Sequence, residues 1–168
     1  LSTVQAGLVA AVDATQLNTL AGVQSVVNNA IYATGAIQEA AQNNTATATT
    51  PSVAQYLAAG VTGVDANNLA AINDALNDAD VTGLQADTTA KVQAIVDGFN
   101  AILNNAITAS TANPSQAHYA ANGVSGVDST AKASLLGDVI DTLAPADVDQ
   151  VAQVQALADA VSAVMAAA

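Results

Sequence analysis

Apolar residues recur along this chain at spacings of three and four, which is the period of one face of an α-helix. The strongest pattern lies between Thr89 and Ile107, where the apolar stripe consists of Val92, Ile95, Val96, Phe99, Ile102 and Leu103. Two shorter patterns precede it and predict a short helix over about 52–59 and a second helix over about 66–76. The spacing therefore predicts three successive helices within residues 51–107.

The residues that flank these stretches are typical of helix ends. Pro51 stands at the first turn of the short helix, and Gly60 follows its end, where a glycine in the left-handed conformation commonly stops a helix. Asp65 is the expected N-cap of the second helix, and either Asp87 or Thr88 is the expected N-cap of the third.

The three-helix pattern returns at a shift of 63 residues, from Pro51 to Pro114. The copy predicts a short helix over about 115–122, a second helix that Asp128 caps and that runs to about Leu143, and a last helix that Asp147 caps. A repeat with this period indicates a supersecondary unit copied along the chain. The other matched pairs are Tyr56 and Tyr119, Gly60 and Gly123, Val61 and Val124, Gly63 and Gly126, and Asp65 and Asp128.

The beginning of the chain matches only the later part of the unit. Residues 1–12 are similar to the second helix, and Asp13 is the expected cap of a long third helix that runs through about Ala41. We therefore predict three domains, which are a partial repeat of two helices over 1–48, a full repeat over 49–111 and a full repeat over 112–168. The chain starts in mid-pattern without a recognisable signal peptide, so we expect it to be part of a longer array.

The composition supports an all-α fold and disfavours several classes of partner and metal site. The 52% hydrophobic content is largely Ala, the strongest helix former, whereas aromatic side chains, which mark strands, make up 2%. Two Lys stand against 14 acidic residues, and the net charge of −12 disfavours nucleic acid and anionic membranes as partners. The chain has no Cys, which excludes disulfides and thiolate metal sites.

The acidic composition also favours one cellular location of the protein. Salt screens the self-repulsion of such a surface, so we expect an extracellular or cell-surface setting. The uncharged stretch from Ala14 to Gln38 contains Gln and Asn at several positions, which predicts a soluble helix and no membrane insertion.

The repeat carries a characteristic order of motifs. They are Tyr56-x3-Gly60-Val61, Asn68-Leu69, Ile72-Asn73, Val92-x2-Ile95-Val96-Asp97 and Ile102-Leu103, with Tyr119, Gly123, Val124, Leu135, Val154, Leu157 and Asp159 in the second copy. This order resembles the GA module, the albumin-binding three-helix bundle of bacterial surface proteins, over about 51–107 and 114–168.

The resemblance implies tandem three-helix bundles. The chain is also similar to the helical repeats of very long acidic adhesins of Gram-negative bacteria. The GA family is rich in Lys and Glu and lacks the long loop over 77–87, and no surface motif here matches an albumin contact.

One loop matches the first half of a calcium-binding loop. Its residues are Asp78-x-Asp80-x-Thr82-Gly83. The twelfth position of such a loop is Thr89, where a bidentate Glu is expected, and the third unit has no counterpart. We therefore expect a solvated acidic loop that caps a helix, with calcium binding as the alternative.

Four further side chains are candidates for chemistry. His118 is the only histidine and its counterpart is Gln55, so the fold does not require an imidazole there. Ser115 could pair with it, but a catalytic triad also needs an orienting acid, and we expect a polar surface residue. Tyr56 and Tyr119 recur, and we expect each to pack its ring on the third helix and leave its hydroxyl in water, with a binding role as the alternative.

These patterns predict no catalytic, cofactor-binding or metal site. We expect a non-catalytic helical repeat region of a large secreted or cell-surface bacterial protein, acting as an adhesin spacer or as an array that binds a protein partner. The alternative is a GA-like module specific for a host serum protein.

Overall fold

The computed structural model describes residues 18–44, 50–107 and 112–167, and within these ranges the chain is all-helical, without strands. The predicted all-α class is confirmed. A 3-10 turn, Pro145–Asp147, precedes the last helix. The helices are α1 (Leu20–Asn43), α2 (Val53–Ala58), α3 (Leu69–Leu76), α4 (Thr89–Ile107), α5 (Gln116–Ala121), α6 (Thr130–Ile140) and α7 (Val151–Ala167).

The two short helices, α2 and α5, begin and end in the same way. In α2 the Ser52 hydroxyl accepts from the N–H of Gln55 at 3.3 Å, and the Gln55 side chain accepts from the N–H of Ser52 at 2.9 Å. This reciprocal capping box satisfies two N–H groups that a helix start leaves unpaired. Gly60 and Gly123 follow the two helices with φ of 78° and 77°, a left-handed conformation that glycine adopts without strain.

Some predicted helix starts are correct and others are wrong. Thr88 caps α4, because its hydroxyl accepts from the N–H of Lys91. The Asp65 carboxylate accepts from the N–H groups of Asn67 and Asn68 at 2.7 and 3.3 Å, but these bonds close a turn, and α3 begins only at Leu69.

The third unit departs from the prediction in the same region. Ser129 caps α6 in place of Asp128, and the helix ends at Ile140 rather than at about Leu143. Asp147 belongs to the 3-10 turn, where its side chain accepts from the N–H of Ala144, and α7 begins later, at Val151.

The described part of the first unit is the single helix α1. It begins at Leu20, and Thr19 caps it by accepting from the N–H of Gly22 at 3.0 Å. The predicted cap Asp13 and the predicted helix over 1–12 lie outside the described residues.

Each short helix packs against the long helix that precedes it, so α2 lies on α1 and α5 lies on α4. In addition, α3 packs on α4, and α7 packs on α6 and α3. All seven helices contribute buried apolar residues to one continuous cluster, from which only Val26 and Ala30 of α1 are absent among the buried apolar residues described. The division into three domains at 48/49 and 111/112 stays a prediction.

Helix α4 buries two faces. One face, the inner stripe, packs towards the helices of its own unit, where a Cβ at Gly63 would lie 3.6 Å from the Val96 side chain. The neighbouring face, the outer stripe, packs towards α5 and α6, and a Cβ at Gly98 would lie only 2.7 Å from the carbonyl oxygen of His118. The inner stripe consists of Val92, Val96, Phe99 and Leu103, and the outer stripe of Ile95, Gly98, Ile102 and Asn105.

Replacing Phe99 by Ala is expected to destabilise the protein by about 3–5 kcal/mol, because the ring is fully buried in α4 and its loss leaves a cavity. Tyr32→Ala is the control: Tyr32 is 76% exposed, and the change is expected to stay within about 0.5 kcal/mol. Urea denaturation followed by circular dichroism measures both. Equal midpoints for Phe99→Ala and the unaltered protein would contradict the assignment of this face.

Candidate functional site

Two glutamines hold the turns that connect each short helix to the next helix. The Gln93 side chain accepts from the N–H of Thr62 at 2.9 Å and donates to the Thr62 carbonyl at 3.0 Å. Gln155 makes the same two bonds to Ser125, at 2.8 and 3.4 Å. Both glutamines occupy the same place in the repeat, but the sequence analysis predicts no role for them. Their position in both copies is the signal that could have identified this clamp.

In each turn a glycine carbonyl also accepts hydrogen bonds, and the two repeats supply different side chains as donors. In the second unit the carbonyl of Gly63 accepts from Asn68 and Asn100 at 2.7 and 2.8 Å, and Asn68 also donates to Asn100 at 2.7 Å. In the third unit the carbonyl of Gly126 accepts instead from Lys132 at 3.0 Å and from the Ser162 hydroxyl at 3.4 Å. The turn carbonyl is thus satisfied in both repeats.

The Asn68–Asn100 pair lines a groove in the surface. The groove has a volume of about 440 Å³ and lies between α3, α4 and the 3-10 turn. Its lining residues offer carboxylate and carboxamide groups with a few apolar side chains, so it can exchange hydrogen bonds with a neutral polar molecule and repels anions. The lining residues are Asp65, Asn67, Asn68, Ala70, Ala71, Asn100, Leu103, Asn104, Ile107, Pro145, Ala146 and Asp149.

This groove lacks the groups that covalent or acid–base catalysis combines. Its lining contains no histidine, cysteine, serine or lysine, and therefore no nucleophile paired with a base. The two lining aspartates, Asp65 and Asp149, come from different elements, and Asp65 is already engaged by the backbone of its own turn. The groove can therefore bind a polar surface but offers no reactive centre.

The two repeated tyrosines are fully buried, so the prediction that their hydroxyls lie in water is wrong. The Tyr56 hydroxyl donates to the Asn73 side chain at 2.8 Å, and Asn73 donates in turn to the carbonyl of Pro51 at 2.9 Å. Burial raises the pKa of the Tyr56 phenol well above its ordinary value. The tyrosine therefore ties α2 to α3.

The third unit makes this connection without the tyrosine. On α6, Gly137 leaves room for the Asn113 side chain, which donates to the Ser134 carbonyl at 2.9 Å and to Asp138 at 2.8 Å. The Tyr119 hydroxyl is buried and has no hydrogen-bond partner among the described residues. Burial, and secondarily the negative charge of Asp141, raises the pKa of Tyr119.

His118 is placed by the capping box of α5. Its Nδ1 accepts from the N–H of Ser115 at 3.3 Å, and its own N–H donates to the Ser115 hydroxyl at 3.3 Å. Gln55 does the same in α2, which explains why the repeat accepts either residue. The contact between Ser115 and His118 therefore caps a helix, because the His118 Nδ1 accepts from the backbone N–H of Ser115 and not from its hydroxyl.

The acidic loop over 77–87 in the second unit packs against Gly123, the glycine that follows α5 in the third unit. The Asp78 carboxylate accepts from the N–H of Asp80 at 2.9 Å and lies against Gly123, where an added Cβ would be 3.0 Å from the Asp78 Cγ. Burial, followed by the negative charges of Asp80 and Asp74, raises the pKa of Asp78. The loop does not cap α4, and Asp78 is half-buried rather than solvated.

No group of three or more histidine, cysteine, aspartate or glutamate side chains in the described ranges is arranged to hold a metal ion. Asp74 is directed elsewhere, because it accepts from the N–H of Val151 at 2.7 Å. In the same ranges, no helix is both long enough and apolar enough to cross a membrane.

The two tyrosines allow a matched test of this geometry. Tyr56→Phe is expected to cost about 1–3 kcal/mol, because it leaves the Asn73 oxygen buried without its donor. Tyr119→Phe removes a hydroxyl that has no partner in the described structure and is expected to leave stability unchanged or to raise it. Urea unfolding of both variants measures the difference, and an equal loss in both would contradict the assigned contacts.

Asp78→Asn is expected to raise the thermal midpoint at neutral pH. Because the pKa of Asp78 is higher in the folded state, stability falls as the pH rises from its ordinary value through the raised one, and the amide removes that loss. The gain should vanish at a pH where Asp78 is protonated. Asp159→Asn, at an exposed carboxylate, is the control. An Asp78→Asn protein whose midpoint tracks that of the unaltered protein at every pH would refute the electrostatic origin of the shift.

No protein-family model, curated protein or solved structure matches the chain. The resemblance to the GA module and to the acidic adhesin repeats therefore stays a prediction that rests on the residues quoted for it. The assignment of a function has to start from the geometry of the repeat itself.

Proposed function

We propose that this chain is a non-catalytic helical repeat region of a large secreted or cell-surface protein, which acts as a spacer or presents helix faces to a protein partner. The proposal rests on the kind of interaction that the repeat duplicates. The capping boxes at Ser52 and Ser115, the clamps at Gln93 and Gln155 and the positive-φ glycines all build helix connections. Copying such a unit adds length and surface, whereas it adds no reactive group.

The packing between units supports a spacer. Because α2 lies on α1 and α5 lies on α4, each unit is joined to the previous one by a buried interface and not only by a linker. A chain of units joined in this way holds its ends at a fixed separation, as a quasi-one-dimensional repeat protein does.

The surface chemistry narrows the class of partner. The net charge of −12 gives the chain a long-range repulsion for phosphate backbones and anionic lipids. Both lysines are engaged, Lys91 with Asp87 at 2.8 Å and Lys132 with Asp128 at 3.0 Å. The favoured partner is therefore a protein surface that is neutral or basic.

A serum protein is the second candidate partner, and one observation favours it. Ile107, at the end of α4, is 64% exposed at the edge of the polar groove, where an apolar side chain can anchor a docked protein surface. Binding of a serum protein requires the same fold and differs from the spacer only in that the surface around Ile107 contacts a partner.

Binding and turnover assays on the full chain test the proposal. The spacer predicts no saturable binding to serum proteins or glycans and no calcium uptake. Saturable serum-protein binding that Ile107→Asp abolishes, with Leu20→Asp as the matched exposed control, would establish the second candidate instead. Stoichiometric calcium uptake lost in Asp80→Ala, or turnover lost in His118→Ala, would overturn the non-catalytic, metal-free role.

A further inference from the structure

We infer that the outer face of α7 is a docking surface for another short helix of the α2 and α5 type, supplied by a further repeat unit. The inference rests on the proposed repeat function and deepens it by assigning one face of one helix to that contact. The face consists of Leu157, Ala160, Val164 and Ala167.

The register between α7 and α4 follows from matching contacts. Gln155 clamps Ser125 as Gln93 clamps Thr62, and each glutamine also donates to an aspartate one turn later, Asp159 at 2.7 Å and Asp97 at 2.8 Å. In this register the outer stripe of α4 corresponds to Leu157, Ala160, Val164 and Ala167 in α7.

The two faces of α7 differ in burial. On the inner side Val154, Ala158 and Val161 are buried, as Val92, Val96 and Phe99 are in α4. On the outer side Leu157 is partly buried against the core, whereas Ala160, Val164 and Ala167 are exposed. Val164 is 64% exposed, and its counterpart Ile102 is fully buried. Within the described residues, most of this second copy of the face is therefore uncovered.

The kind of helix that docks on α7 follows from an interface that the chain already forms twice, between a long helix and the short helix after it. The long helices α1 and α4 are each covered by the short helix that follows them. Neither α2 (VAQYLA) nor α5 (QAHYAA) carries a carboxylate, a lysine or an arginine, and the outer face of α7 has none, so the two surfaces match in polarity. A charged partner would leave its charges without counterparts on this face.

The size of the residue at the helix crossing agrees with this occupant. Gly98 marks the crossing on α4, and its place on α7 is taken by Ala160. The buried residues of α1 include no glycine, and α2 still packs on this helix; they are Val26, Ala30, Ala33, Ile37, Ala40 and Ala41. A short helix therefore packs on a long helix without a glycine. Because a Cβ at Gly98 would lie 2.7 Å from the His118 carbonyl oxygen, a helix that docks at Ala160 has to lie farther from its long helix than α5 does.

The test extends the full chain after Ala168 with a second copy of residues 107–168, which continues α7 in the register of α4. In this extended protein, Val164→Asp is expected to raise the unfolding equilibrium constant about 30-fold or more, because it buries a carboxylate in the new interface. In the protein that ends at Ala168 the same substitution is expected to change nothing. Ala166→Asp, at an exposed residue off the docking face, is the control in both.

Urea unfolding and hydrogen exchange of the α7 amides read out the result. One cooperative transition, added protection over 157–167 and sensitivity to Val164→Asp support the inference. Independent transitions, or added residues that stay unfolded, with a harmless Val164→Asp, overturn the docking face but leave a spacer of separate units intact. Self-association of the unextended chain that Val164→Asp abolishes would make a second copy the occupant and would overturn the inference as well.

Discussion

The burial of α4 on two separate faces is the constraint on which the remaining structure depends. The chain is rich in Ala and has one Phe and no Trp, so each helix removes little apolar surface from water when only one of its faces is covered. Covering both faces of the same helix roughly doubles that contribution and connects the helices before it to those after it. Gly98 makes the second contact possible, because it lets the backbone of α5 approach closely.

The polar interactions that position the helices rely mainly on uncharged groups. Glutamine and asparagine side chains reach backbone carbonyls and N–H groups, as Gln93 does at Thr62 and Asn68 does at Gly63. Such bonds do not depend on ionic strength, whereas ion pairs on the surface weaken with salt and contribute little in water. A chain with two lysines and a large negative charge can therefore keep its turns fixed in conditions that screen its charges.

Much of the helix pattern could be predicted from the sequence. The bounds of α4 follow from its apolar stripe, and the ends of α2 and α5 follow from their Ser and Gly residues, because these signals are local. Asp65, Asp128 and Asp147 were assigned wrongly as N-caps for a related reason: Asp is common both at caps and in turns, and the choice between Asp128 and Ser129 depends on the backbone direction at that point. The polar groove could not be predicted, since its walls come from three separate elements. The burial of the Tyr56 hydroxyl was missed because its partner Asn73 lies on another helix.

The contacts of Asn73 and Gly137 make the two repeats incompatible with each other's parts. In the second unit an asparagine on the helix meets a tyrosine hydroxyl, and in the third unit an asparagine before the short helix meets a glycine on the next helix. If α6 replaced α3, Tyr56 would lose its asparagine partner, because α6 contains no asparagine. If α3 replaced α6, a side chain would stand where Gly137 leaves room for Asn113, because α3 contains no glycine. Tandem copies of similar sequence are prone to trade segments while they fold. This difference therefore discriminates against mispaired units, and it directs each helix to the partner within its own unit.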